Sequence, residues 1–210
     1  MITISAFRWV PPFAKGQVRD LRVRWALEEA GLPYQARLLS QGDQDKPDYR
    51  ALQPFGQVPI FQEDGHVLFE SGAIVLHIGA RSDVLLPNDQ RARDRAVQWV
   101  IAALNSIEPH LMNVAAIEVF YADQEWARLR RQGATDFARH RLNGLSEALS
   151  DKPYLDGERY TAGDLIMSSV LRIRPELLDA RLARYVERCC ARPAFARALS
   201  AQMNDFVEAQ

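Results

Sequence analysis

Only two of the 210 residues are cysteine, and they are neighbours, Cys189-Cys190. Adjacent thiols supply neither a disulfide framework nor a Cys-x-x-Cys redox or zinc motif, so the expected setting is a reducing, cytoplasmic one. An excess of charge is also missing. Twenty-six Lys and Arg against twenty-seven Asp and Glu leave a net charge of −1, which argues against nucleic acid or an anionic membrane as the main partner. Apolar runs stay short of the ~20 residues that a membrane span needs. The first residues, Met1-Ile2-Thr3-Ile4-Ser5, lack the basic segment and apolar stretch of a secretion signal. Internal repeats and low-complexity segments are absent. What remains is 48% hydrophobic and 25% charged residues, in a length that suits one large globular domain or two small ones.

The first eighty residues alternate strand and helix. Ile2, Ile4 and Ala6 alternate with Thr3 and Ser5 as in a strand. From Gly16 to Ala30 the apolar residues Val18, Leu21, Val23, Trp25, Ala26 and Leu27 recur at helical spacing. Gly31 ends that helix and Pro33 blocks its continuation. Tyr34 to Leu39 reads as a second strand, and a polar loop with one helical turn near Asp48 to Leu52 follows. Val58 to Gln62 and Val67 to Phe69 are short β-rich runs, and Asp64-Gly65 between them supplies the positive φ angles of a tight hairpin turn. Pro59 cannot donate to a ladder, so the third strand begins at it or lies at an edge, and a cis bond is open to it. Glu70-Ser71 then opens the apolar helical run Ala73 to Ile78. The order is βαβ, a loop, then ββα: a small mixed sheet with helices on its faces, as in thioredoxin-like domains.

After a proline-containing linker over residues 82–88, the pattern is helical throughout. Arg91 to Leu111 reads as one long helix, and Glu118 to Leu149 contains another, interrupted or loosened near Gly133. Thr161-Ala162-Gly163-Asp164 is a capping box with Asp in place of Glu. Pro175 and Pro193 sit where further helices begin. The expected plan is an α/β thioredoxin-like domain over residues 1–81, the linker, and an all-α domain over residues 89–210.

A serine hydroxyl with free backbone N–H groups at a helix start makes a ready anion site. Proline at a strand start, a hairpin, then Glu-Ser at a helix start resembles the glutathione-binding half of the glutathione transferase family. The change from α/β to all-α is that family's domain plan, and Gln53-Pro54-Phe55-Gly56-Gln57 is similar to the family stretch preceding its Val-Pro. The resemblance therefore covers nearly the whole chain. It implies glutathione as co-substrate, no metal, and a homodimer. It further implies that Ser71 and the helix start take the γ-glutamyl carboxylate and that Glu70 faces the ammonium or orients the site from behind. A cis Pro59 would turn Val58 outward, so that its N–H and C=O pair with the cysteinyl unit as a strand pairs with a peptide. Gln57 matches a position that helps to bind the glycyl end.

Such enzymes activate a thiol, whose unperturbed ionisation near pH ~8.5 leaves little thiolate at neutrality. The family's tyrosine position falls at Phe7 and its serine position near Gln17, and neither carries the usual donor. Between them lies a lengthened loop, Arg8 to Gly16, stiffened by Pro11 and Pro12. Three replacements are open: the Arg19 cation, which matches an arginine that supports the thiolate in some family classes; backbone N–H groups of the loop; and Ser5, if strand register turns it to the site. The reaction so implied is thiolate attack on a small hydrophobic electrophile. Two rivals stand beside it: reduction of peroxides or disulfides with glutathione, and non-catalytic binding of glutathione or a hydrophobic ligand.

Overall fold

The computed structural model describes residues 1–206. By internal packing the chain forms two units, Met1–Leu86 together with Ala191 onward, and Pro87–Cys190.

The first unit holds a four-stranded sheet: β1 (Ile2–Phe7), β2 (Tyr34–Leu39), β3 (Ile60–Glu63) and β4 (His66–Phe69), in spatial order β2-β1-β3-β4. β1 and β2 are parallel, with Ile2 opposite Tyr34 and Phe7 opposite Leu39. β3 runs antiparallel to both β1 and β4. Asp64 (φ 48°) and Gly65 (φ 83°) form the expected tight hairpin turn. Ile2, Ile4 and Ala6 are buried on one face of β1. On the other face, Phe7 packs against a cluster of Leu39, Tyr49, Val58 and Ile60. Helices α1 (Asp20–Ala30), α2 (Pro47–Arg50) and α3 (Ser71–Gly79) complete a thioredoxin-like arrangement.

Helix α1 starts four residues later than its apolar periodicity predicts. The prolines set a 3-10 turn over Pro12–Ala14, and Gly16 then takes φ 73°, outside helical geometry. Its end is as expected: Gly31 has φ 66°, and the Leu32 N–H bonds to the Leu27 carbonyl at 3.0 Å.

The second unit is helical. Gln90–Val119 is one 30-residue helix, made of α4 (Gln90–Ala102), a π-helical turn (Ala103–Ile107) and α5 (Glu108–Val119). The π turn lies just before Pro109, whose ring would otherwise collide with the carbonyl four residues back and which has no N–H to donate. Its most apolar stretch reaches a mean hydropathy of 1.2, enough by length and composition to cross a membrane. The unbroken apolar runs inside it are short, Trp99–Leu104 being the longest. Part of its apolar surface is covered by packing, of α4 on α7 (Ala162–Leu171) and of α5 on α6 (Glu125–Leu149), while Ile101, Met112 and Val119 stay exposed. Helix α6 runs unbroken through Gly133, where the sequence suggests an interruption; glycine weakens an exposed helix but does not stop it when packing continues on both sides.

The capping box of α7 forms as read. The Asp164 carboxylate accepts from the Thr161 N–H at 2.9 Å, and the Gly163 N–H donates to the Thr161 hydroxyl at 3.2 Å. The same carboxylate also accepts from the Leu155 N–H at 2.9 Å and the Tyr185 hydroxyl at 3.0 Å. Gly163 is needed for contact: a Cβ there would lie 2.6 Å from the Cβ of Trp99 on α4. Helix α8 (Ala180–Cys190) follows a 3-10 turn at Pro175–Leu177.

The last helix, α9 (Pro193–Asp205), departs from the expected plan. Expected as part of the all-α domain, it packs against α1 in the first unit. Trp25 meets Phe195 at 4.8 Å, Arg192 grips Glu29 with two bonds of 2.6 and 2.8 Å, and Arg197 reaches Glu28 at 2.6 Å. A buried set completes the contact. Asp20 accepts from Arg24 and from Gln202, each at 2.8 Å, and Arg24 also reaches Asp205 at 2.6 Å. Burial pushes the Asp20 carboxyl up to about 6, against the pull of the Arg24 guanidinium.

Candidate functional site

Sheet register brings the predicted binding residues to one end of the first unit. Ile60 pairs with Phe69, so the segment entering β3 (Gln57-Val58-Pro59) and the segment leaving β4 (Glu70-Ser71) share that end. The C-terminal half of β1 and the start of α1 lie there too.

The Val58–Pro59 bond is cis. The preceding loop is built by two side chains. The buried Gln53 accepts from the Phe55 N–H at 2.6 Å and the Gln57 N–H at 3.2 Å, and Arg50 donates to the Pro54 carbonyl at 2.7 Å. Gly56 takes φ 64° directly against the Arg50 guanidinium, where a Cβ would approach to 2.9 Å. Glycine serves both the conformation and the close contact. Val58 follows this clamp, and among the described residues no hydrogen bond within the chain reaches its N–H or its C=O. A backbone N–H and C=O in that condition can pair with an added strand. The Gln57 side chain is exposed.

Glu70, not Ser71, is the N-cap of α3. It has φ 70° and ψ 113°, a strained conformation for a side-chain-bearing residue, costing about 1–3 kcal/mol. Its side chain is exposed and makes no cap hydrogen bond. Ser71 is the first helical residue and is buried, and its hydroxyl accepts from the buried Arg22 guanidinium at 3.3 Å. The first intrahelical bond runs from Ile74 to the Glu70 carbonyl at 2.9 Å, so the N–H groups of Ser71, Gly72 and Ala73 face outward from the helix start. A hydroxyl, three N–H groups and a guanidinium behind them form an anion site. Arg22 is the residue that sequence reasoning missed. No local motif marks it, because its partner Ser71 lies 49 positions away on α3.

The three replacements for a thiol-activating group fare differently. Ser5 is almost fully buried, and its hydroxyl is engaged twice, accepting from the Ile60 N–H at 2.8 Å and pairing with the Tyr49 hydroxyl at 2.8 Å. This corrects its reading as a sulfur-facing donor: strand alternation turns it toward α2. Phe7, two residues on, packs on the same face. Part of the lengthened loop has its amides engaged within the chain, Arg8 on Leu39, Ala14 on Pro11 and Lys15 on Pro12, as has Gln17, which follows it, on Ala14. The first amides of α1 are spent likewise, Leu21 on Val18 and Arg22 on Arg19. Arg19 is the N-cap of α1 and half-buried. It brings a cationic side chain to the start of α1.

The fold and this end of the sheet together define a thioredoxin-like domain equipped to hold a peptide strand and an anion, joined to a helical unit. Residues 14–80 match the N-terminal domain of glutathione S-transferases. The disulfide-bond oxidoreductase YfcG of Escherichia coli is 30% identical over 199 residues, covering 85% of this chain and 89% of that protein. The theta class glutathione S-transferase of Xanthomonas axonopodis pv. citri, solved with glutathione bound, superposes with a TM-score of 0.79 at 27% identity, over 94% of this chain and 96% of that one. A glutathione transferase of Burkholderia graminis, with two glutathione molecules bound per subunit, gives a TM-score of 0.79 at 25% identity, over 95% and 88%. The chain belongs to the glutathione transferase family.

Proposed function

We propose that this protein is a cytoplasmic, homodimeric glutathione transferase that binds glutathione through Gln57, Val58, Pro59, Glu70 and Ser71 and promotes attack of its thiolate on a small hydrophobic electrophile. The observation that carries this reading is the Val58 backbone: an N–H and a C=O without a partner among the described residues, at the same sheet end as the start of α3. One ligand spanning both needs a main chain with a carboxylate at its end, and glutathione has that form. The γ-glutamyl carboxylate sits at Ser71 and the α3 amides, Glu70 takes the ammonium, and the cysteinyl unit pairs with Val58. Arg19 supplies the cation that favours the thiolate. In the reaction the thiolate sulfur bonds to the electrophilic carbon, the leaving group departs with the bonding pair, and the thiol proton is released to solvent. Proximity and thiolate stabilisation are the two catalytic contributions.

The homodimer is supported by apolar groups left exposed in each unit. Phe55 and Phe69 meet edge to face at 6.1 Å in the first. Leu129 and Phe137 line a groove of about 460 Å³ in the second. Two-fold pairing of identical chains is the commonest way to cover such surface. Light scattering should give twice the 23.8 kDa of one chain.

A second reading has its own support. Phe7 has no donor, Ser5 is occupied, and the Escherichia coli relative is a disulfide-bond oxidoreductase. In that reaction the thiolate of one glutathione attacks a disulfide sulfur and expels a thiol. A second glutathione resolves the mixed disulfide, so that two glutathiones are oxidised to one glutathione disulfide while the substrate is reduced to two thiols.

Calorimetry tests the shared site, and rates with an activated aryl chloride and with a dialkyl disulfide separate the reactions. Ser71→Ala should weaken glutathione binding by about 1.5–3 kcal/mol, the range for a hydrogen bond to a charged group. Unchanged affinity in a folded variant would remove the site.

A further inference from the structure

β1 and β3 pair at Thr3–Gln62 and Ile4–Phe61, and there the backbone ladder stops. At the next position, where Ser5 faces Ile60, a chain of side-chain bonds replaces it. The Ile60 N–H donates to the Ser5 hydroxyl at 2.8 Å, Ser5 and the Tyr49 hydroxyl are 2.8 Å apart, and Tyr49 donates to the Gln57 carbonyl at 2.7 Å. Because Tyr49 spends its proton on that carbonyl, Ser5 must donate to Tyr49, and every proton in the chain then has one acceptor. Both hydroxyls are buried, Ser5 at 1% and Tyr49 at 2% exposure. Burial raises the Tyr49 phenol above its ordinary range, so it remains a donor at all physiological pH.

The chain has a specific geometric result. It grips the backbone on both sides of Val58-Pro59, at the Gln57 carbonyl and at the Ile60 N–H, and it grips from the α2 side. Pro59 has no N–H. The peptide groups of Val58 are therefore the ones left over, presented away from the clamp. The Gln57 N–H is held from the same side by Gln53.

We infer that Tyr49 and Ser5 are positioning residues that fix the outward orientation of the Val58 backbone and thereby set affinity for the cysteinyl unit of glutathione; the inference rests on the glutathione reading above. Neither side chain touches the ligand. Tyr49→Phe keeps the ring that packs on Leu39 and Ile60 but cuts the bond to the Gln57 carbonyl, freeing that peptide to rotate.

The test is titration of glutathione into the wild-type protein and into Tyr49→Phe by calorimetry, with amide hydrogen exchange followed at Val58 and Ile60. The wild type should bind and protect the Val58 amide. Tyr49→Phe should bind about tenfold more weakly, the factor expected for one lost hydrogen bond. It should lose most of the glutathione-induced protection at Val58 while the free protein's Ile60 amide, still bonded to Ser5, exchanges as before. A purely structural role would speed exchange at Ile60 and Val58 together without glutathione and leave the ligand-induced step intact, which would overturn the inference. So would wild-type affinity in a folded Tyr49→Phe. Should that variant not fold, Ser5→Ala is read by the same affinity and Val58 criteria. A wild-type protein that does not bind glutathione would overturn the glutathione reading itself, an outcome distinct from the other two.

Discussion

Both units bury a carboxylate completely, in opposite company. Asp164, in the helical unit, is surrounded by neutral donors: two backbone N–H groups and the hydroxyls of Thr161 and Tyr185. Asp20, in the α/β unit, faces the Arg24 guanidinium one turn along its own helix and the Gln202 amide from the far end of the chain. The first is a local device. It starts α7 and ties the approaching segment at Leu155 to that start, and its partners lie within about twenty residues. The second is a long-range device that binds α9 to α1. The same helix α1 carries a second buried cation on its other side, because residues 20 and 24 share a face and residue 22 is half a turn away. That side points at α3 and Ser71. Charge buried in the α/β unit thus binds α9 on one face of α1 and holds the start of α3 on the other. In the helical unit, Asp164 serves the chain's own geometry.

The largest expected effect breaks the local device. Asp164→Ala leaves four buried donors without their acceptor and should destabilise the protein by about 3–5 kcal/mol in chemical denaturation. A loss below about 1 kcal/mol would mean that water or a rearranged loop replaces the carboxylate.

Asp20 behaves differently with pH. Its folded value of about 6 lies above the ordinary 3.8, so the folded state binds the proton more tightly. Stability contributed by this group therefore falls as pH rises from about 4 to about 6 and is flat above. The difference in stability between wild type and Asp20→Asn should change by up to roughly 3 kcal/mol across that window. A difference independent of pH would place the Asp20 carboxyl in its ordinary range and make the salt bridge to Arg24 self-sufficient.

A smaller effect probes the far side of α1. Arg22→Gln should lower glutathione affinity about three- to tenfold by removing the cation behind Ser71. Calorimetry with unchanged affinity would confine Arg22 to packing.

Much of this was legible in the sequence because it is local. The hairpin at Asp64-Gly65, the Gly31 stop, the β2 strand at Tyr34–Leu39 and the capping box at Thr161 each follow from residues within a few positions of one another. Short motifs also pointed to Val58, Pro59, Glu70 and Ser71. What stayed hidden depends on meetings between distant residues. Ser5 and Tyr49 are 44 positions apart, Arg22 and Ser71 are 49 apart, and Asp20 and Gln202 are 182 apart. The faces of β1 were equally hidden, because a two-residue period shows that Ser5 and Ala6 point opposite ways but not which side holds the site. Helix α9 looked like its helical neighbours, and only its contacts with Trp25, Glu28 and Glu29 assign it to the first unit.

In the proposed reading the Val58 backbone and the start of α3 hold one ligand. A crystal structure of the protein with glutathione tests it directly. The cysteinyl N–H and C=O should pair with Val58, and the γ-glutamyl carboxylate should lie on Ser71 and its neighbouring amides, all within ~3.2 Å. Glutathione bound elsewhere, or bound with the Val58 peptide groups still unpaired, would contradict it.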